Sequence, residues 1–412
     1  MAHPLFKTAL LSLGLAFAAT SMAQEEVPWR FKIKGHTRTL GIYIRELATR
    51  CVNDAPMPED DPAWPKNIRQ CILNSKLFSE VGVTRLGPRR VSIVVKDRWT
   101  FIPIPIFQTD SGGGRAFGLM LLETNFWGRG IFLLGGTQRT DRGHSTLLVV
   151  NDKTVQGSNV SAVLVGYEAA EELTAGIDTP LYRMKESQVL VMPGIGYELW
   201  PKTKVTFNLL WRGHEFEALG GDTPPDDYAE VAARLLTEVD HSNYKFYYND
   251  GWSLRNETAL QTWRSDTLPL AGNFYLAGHW QFSPWLRHAI HYQGILSLIR
   301  GGGVADPYRL GGERGYRGIP RGRLWASSSF SNALDYHIPL TRPPYGTWTL
   351  AAFGDLSWYE QVVRQDRFER FEAEGLGIYL FLKQVAIPGV GLLWGVRDRR
   401  TPFVSLSLGA SF

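Results

Sequence analysis

The residues best placed to do chemistry are charged ones in a glycine-rich setting. Residues 301–325 read GGGVADPYRLGGERGYRGIPRGRLW. Glycine frees the backbone for tight folding and for φ > 0. An arginine held inside a closed structure must find a carboxylate, because an unpaired buried charge is costly. Asp335 and Asp355 follow on the next two predicted strands. The chemistry these groups can do is ion-pair anchoring. Taken alone, the stretch also fits a solvated Gly/Arg loop or a segment that touches nucleic acid.

Bond-making chemistry finds less support. No Gly-x-Ser-x-Gly and no His-Glu-x-x-His occurs. His291 and His337 read as residues of a lumen or an aromatic girdle. Gly112, Gly113 and Gly114 precede a strand rather than opening a helix, so they do not form a phosphate cradle. No cluster has metal-ligand spacing. The expectation is a protein that is not an enzyme and holds no metal or cofactor. A net charge of +4 over 412 residues is too mild to argue for nucleic acid as a partner.

The elements that must position the arginines read as β-structure. Trp and Tyr number 14 and 16, without long apolar runs beyond the N-terminus, which fits a β-barrel with interfacial girdles. Residues 1–23 read as a signal peptide: Lys7, an apolar run over 8–19, then Ser21-Met22-Ala23 before Gln24.

Residues 24–100 predict a small α+β domain in the order β-α-α-β-β. Apolar spacing gives helices around Leu40–Cys51 and Trp64–Phe78 and strands over 78–86 and 91–96. Cys51 closes the first helix and Cys71 lies in the second. After export they can pair, the alternative being two unlinked core cysteines. A link of that length contributes about 3 kcal/mol in the chain-entropy model.

Residues 101–114 are expected to be a stiff extended linker, because Pro103 and Pro105 cannot donate ladder hydrogen bonds. From 115 to 412 the chain falls into about sixteen alternating segments, one of them near 171–178. This predicts a mainly β protein: a sixteen-stranded antiparallel transmembrane barrel, with the Gly/Arg stretch as a long loop at one mouth. The last segment alternates Val404, Leu406, Leu408, Ala410 and Phe412 with Ser405, Ser407, Gly409 and Ser411. One face suits lipid and the other a lumen.

Several motifs together resemble the BamA/TamA superfamily, outer-membrane barrels preceded by periplasmic POTRA domains. They are Arg314-Gly315-Tyr316 after Gly311-Gly312, Thr124-Asn125-Phe126-Trp127-Gly128-Arg129-Gly130, Gly375-Leu376-Gly377, and the terminal Phe412. The small domain resembles one POTRA domain. The resemblance implies that the loop folds into the lumen and that Arg314 contacts Asp335 and Asp355. Glu313 stands where a small apolar residue often precedes the arginine, and Asp335 is shorter than the more common Glu.

The implied function is insertion or translocation of polypeptides by strand templating at a lateral seam, with Gly409 and Phe412 at the seam and assembly signal. The seam is expected between 116–124 and 403–412. Expected partners are outer-membrane lipids, unfolded client chains at the POTRA edge and seam, and periplasmic accessory proteins. Alternatives are a passive porin or anchor, a dedicated lipid transporter, or a barrel hydrolase.

Overall fold

Two separate sheets organise the chain. The computed structural model describes residues 28–412 except 56–57, 110–114, 246–247, 266, 268, 286, 302, 342–344, 364–367, 384–389 and 409–412. The expected signal peptide, Gly409 and Phe412 lie outside the described residues.

The first sheet belongs to a small domain: β1 (Arg30–Lys34), α1 (Gly41–Asn53), α2 (Trp64–Asn74), β2 (Phe78–Gly87) and β3 (Arg90–Asp97). Its strand order is β1-β3-β2, with β1 parallel and β2 antiparallel to β3. Helical spacing brings Ile44, Ala48 and Cys51 of α1 against Trp64, Ile68 and Ile72 of α2. Alternation on β3 turns Val91, Ile93 and Val95 into the same core. Cys51 and Cys71 form a disulfide that joins the two helices, their Cα atoms 5.8 Å apart.

The second sheet is a closed barrel. Its strands are β4 (Phe101–Thr109), β5 (Arg115–Phe126), β6 (Ile131–Thr140), β7 (Gly143–Asp152), β8 (Val160–Ala175), β9 (Tyr182–Trp200), β10 (Thr203–Ala218), β11 (Tyr228–Asp240), β12 (Asn243–Tyr244), β13 (Asn249–Arg264), β14 (Gly272–Phe282), β15 (Ala289–Arg300), β16 (Tyr308–Leu310), β17 (Leu324–Thr341), β18 (Gly346–Gln361), β19 (Phe368–Leu382), β20 (Val390–Arg397) and β21 (Thr401–Leu408). Of these 18 segments, β12 and β16 are only 2 and 3 residues long. Neighbours follow chain order and the ring closes between β21 and β4. The described pairings around it are antiparallel, such as β4 with β5 and β20 with β21.

Three expectations are corrected. Residues 101–109 are a barrel strand rather than a linker, paired with β5 from Phe101↔Glu123 to Thr109↔Arg115. The seam partner of β21 is therefore β4, not the segment 116–124. Residues 171–175 are no separate strand but the end of β8, which pairs with β9 through Ala175↔Tyr182.

Period-two alternation sorts the wall. Phe117, Leu119 and Leu121 face outward on β5, as do Val189, Val191 and Ile195 on β9 and Val404 on β21. Phe353, Phe371, Tyr379, Phe381 and Phe403 face inward and are buried. Exposed Trp127, Trp200 and Trp285 lie at turns on the rim nearest the small domain.

The small domain docks on that rim. The N–H of Leu40 donates to the Gly128 carbonyl at 2.9 Å, and Asn125 Nδ2 donates to Thr39 Oγ1 at 2.9 Å. Asn125 also accepts from the Gly130 N–H at 2.8 Å, fixing the turn. Gly128 and Gly130 both have φ +70°, and a Cβ on Gly130 would fall 2.3 Å from Tyr43 Oη. The motif Thr124–Gly130 is thus the turn that grips the domain. Further round, Gln70 Nε2 donates to the Tyr244 carbonyl and Arg98 Nη1 to Tyr244 Oη, at 3.1 and 3.0 Å.

Candidate functional site

The loop between β15 and β17 starts at the rim opposite the small domain and folds into the lumen. Positive φ at Gly311, Gly312, Gly315 and Gly318 lets it turn back on itself. Tyr316 N–H donates to the Glu313 carbonyl at 3.0 Å and Ile319 N–H to the Tyr316 carbonyl at 3.2 Å. The Glu313 carboxylate accepts the Gly311 N–H at 2.9 Å.

At the tip stands a buried ion-pair set. Arg314 Nη2 lies 2.8 Å from Asp335 Oδ2, and Arg317 Nη1 lies 2.8 Å from Asp335 Oδ1. Arg317 also forks onto Asp355: its Nε donates at 2.9 Å and its backbone N–H at 3.1 Å. Its guanidinium carbon sits 4.1 Å above the Phe353 ring. Ser357 Oγ donates to the Gly315 carbonyl at 2.6 Å. A Cβ on Gly315 would fall 2.7 Å from Ser331 Cβ, so only glycine fits there.

The structure therefore brings Arg314, Gly315, Tyr316, Asp335 and Asp355 together. The sequence reading gave Asp355 to Arg314; the described partner of Asp355 is Arg317. The motif singled out the first arginine, and nothing in Arg-Gly-Tyr-Arg-Gly says which of two arginines three residues apart reaches the deeper carboxylate. Tyr316 is buried against Phe371, with ring centroids 6.0 Å apart, and joins a core with Ile319, Phe353 and Phe403. His291 and His337 are buried facing inward beside this set, their rings 4.7 Å apart.

A second anchor escaped the sequence reading. The first half of the loop crosses to the opposite part of the wall. Asp306 accepts from Arg264 Nη1 at 2.5 Å and from Tyr228 Oη at 2.6 Å, and Arg212 lies 3.5 Å away. Arg309 Nη1 pairs with Glu186 at 2.5 Å, and Glu186 lies 2.6 Å from His214 Nδ1. His214, Glu230 and Asp306 converge within 4.8 Å, close enough for a metal ion. Arginines already meet that charge: Arg212 Nε donates to Glu230 at 2.6 Å, and Arg264 holds Asp306. The loop is tied at both ends of a lumen crossing, to β9, β10, β11 and β13 on one side and to β17 and β18 on the other.

No family model matches the chain, and no curated protein matches it. Solved structures do. BamA from Haemophilus ducreyi lacking POTRA domains 1-3 is 11% identical with a TM-score of 0.56, over 93% of this chain and 84% of that one. CdiB from Acinetobacter baumannii is 10% identical with a TM-score of 0.55, over 92% and 73%. CdiB from Escherichia coli is 12% identical with a TM-score of 0.56, over 98% of both chains. The likeness is one of fold: this chain has the barrel architecture of BamA and CdiB.

Proposed function

We propose, from the fold shared with BamA and CdiB, that this chain is an outer-membrane barrel that assembles or exports polypeptides. The observation that carries the reading is the loop drawn into the lumen and held there by Arg314 and Arg317 on Asp335 and Asp355. A lumen crossed by a loop tied to both walls suits a barrel that works at its wall better than one that passes solutes down its axis.

In this reading, sixteen of the strand segments span the bilayer. β12 belongs to the rim and β16 to the lumen loop. The small domain is one POTRA domain on the periplasmic side, and its outer strands, β1 and β2, receive extended client segments by β-augmentation. Accessory proteins of the periplasm would bind there too. The outward apolar faces meet lipid. The work is strand pairing at the seam between β21 and β4, and no residue is assigned a catalytic role.

The test is reconstitution in liposomes with an unfolded outer-membrane barrel as client. Faster client folding than in empty liposomes, lost in Arg317→Ala, supports assembly. No acceleration for several clients, together with a steady ion conductance, would replace this reading with a passive channel.

A further inference from the structure

The inner wall of the barrel changes character around the ring. A barrel lumen is ordinarily polar, and on β17 the inward side chains include Ser329, Ser331, Asp335 and His337. Across β4 to β9 the inward side chains are apolar instead. The ladders place Ile102 beside Leu122, Leu122 beside Leu134, Leu134 beside Val149, Val149 beside Val165 and Val165 beside Met192. One row further from the small domain stand Ile104, Met120, Leu147 and Leu190. Alternation sets both rows opposite the outward Leu119, Leu121, Leu148, Leu164 and Val191. Leu122, Leu134, Leu147, Val149 and Val165 are only half-buried, so their inner faces stay partly uncovered. Leu147, Val165, Leu190 and Leu210 line a cavity of about 510 Å³ shared with Pro307 and Tyr308 of the lumen loop.

The mouth beside the small domain is basic. A cavity of about 1450 Å³ lies there between the domain and the rim. Nine Lys or Arg residues line it against four Asp or Glu, among the described residues. Lys153 follows β7, and Lys202 and Lys204 open β10. The excess is felt nearby: burial first, and Lys153 next, hold the Lys76 ammonium below its ordinary pKa. Lys153 stands four residues past Val149, roughly 13 Å along an extended chain. Positive charge and apolar wall are thus spaced as the head and chain of one amphiphile.

We propose that the lumen holds an anionic acyl lipid, its chain against the apolar rows of β4 to β9 and its phosphate at Lys153 and Lys204. The strands of a closed sheet pair along both edges, so this wall offers no backbone groups to a guest. An extended peptide laid on it would find no partner there for its N–H and C=O groups. An acyl chain has none to satisfy. The chain's own apolar run over 8–19 follows Lys7 and contains no acid, so it would bring like charge to a basic mouth. Inorganic phosphate would use the lysines and leave the rows bare. The site stands apart from the assembly reading, and neither depends on the other.

Photocrosslinking tests it on the full chain in nonionic micelles. The photoreactive residue p-benzoylphenylalanine replaces inward Leu147 or inward Val149, with outward Leu148 as the control. Phosphatidylglycerol or phosphatidylcholine with the same chains is added, and adducts are read by intact mass. The inward positions should give several-fold more adduct with phosphatidylglycerol, and Leu148 should give equal adducts with both. The double variant Lys153→Gln, Lys204→Gln should erase the inward preference while heat-modifiable migration shows the barrel still folded. Equal inward yields for the two lipids, or a preference that survives the lysine changes, would overturn the headgroup site. No lipid adduct at either inward position, or crosslinks there to the protein's own chain, would overturn the lipid altogether. Excess inorganic phosphate that erased the preference, where sodium chloride of equal ionic strength did not, would give the lysines to the free anion instead. An added unfolded client that replaced lipid in the inward adducts would give the wall to polypeptide.

Discussion

Gly318 at the lumen tip presses on Phe403 of the closing strand: a Cβ built on Gly318 would fall 2.5 Å from Phe403 Cδ1. Phe403 in turn packs on Phe353, with centroids 6.2 Å apart, and Phe353 carries the Arg317 guanidinium. The loop anchor and the strand that closes the ring are one packed unit.

Gly318→Ala should therefore destabilise more than a positive φ alone explains. Left-handed strain costs about 1–2 kcal/mol, and the clash with Phe403 adds about 1–3 kcal/mol. Gly220→Ala is the control, since Gly220 has φ +69° and nothing within 4 Å of its added Cβ. Thermal unfolding in detergent micelles should separate the two, and equal losses would remove the contact with Phe403 as a cause.

Arg317→Ala should cost about 3–5 kcal/mol, because it strands the buried carboxylate of Asp355 and leaves Asp335 with Arg314 alone. Arg314→Ala should also destabilise, through Asp335. Arg317→Lys should recover only part of the loss, as an ammonium cannot reproduce the fork on Asp355. The exposed Arg300→Ala should stay within about 0.5 kcal/mol. Denaturant titration ranks the four, and a tolerant Arg317→Ala would break the anchor assignment.

Docking of the small domain should weaken in acid. Burial raises the Asp97 pKa, but the N–H groups of Arg38 and Thr37 and the hydroxyl and N–H of Thr39 outweigh it, so the carboxyl titrates below its ordinary value. A depressed carboxylate stabilises above the unfolded pKa of about 3.9. That stability is lost as pH falls through the lower folded value. Thr39 holds Asn125, so loss of the Asp97 charge should expose the 125–130 turn to protease as pH drops below about 4. Asp97→Asn should show the exposure at neutral pH and a flatter pH profile.

Replacing Cys51 and Cys71 by serine should destabilise the small domain by about 3 kcal/mol in the chain-entropy model, given 20 residues between them. Unfolding of the domain should shift while barrel unfolding stays in place, which tryptophan fluorescence and circular dichroism can separate.

Much of this was legible in residues that answer to local rules. Val91, Ile93 and Val95 alternate, Ile44 and Ala48 repeat at helical spacing, and Arg314-Gly315-Tyr316 stands out as a motif. Pro103 and Pro105 misled because the rule against proline concerns strands paired through that edge, and a sequence does not show which edge of a strand faces a seam. Asp306, Arg264 and Glu186 were invisible for another reason. They meet across 42 residues from Asp306 to Arg264 and 123 from Arg309 to Glu186, with ordinary strand composition around each. Such pairings follow from ring closure, which local pattern does not carry.

The two sets of tethers also sort by position along the chain. The described contacts that seat the small domain use residues 125–130, Ser158, Glu198 and 243–245. The tip of the lumen loop is held by Asp335, Asp355, Ser357 and Phe403. Along the chain, every one of these described rim contacts therefore precedes the residues that hold the loop tip, so truncation after 300 would keep the first set and remove the second.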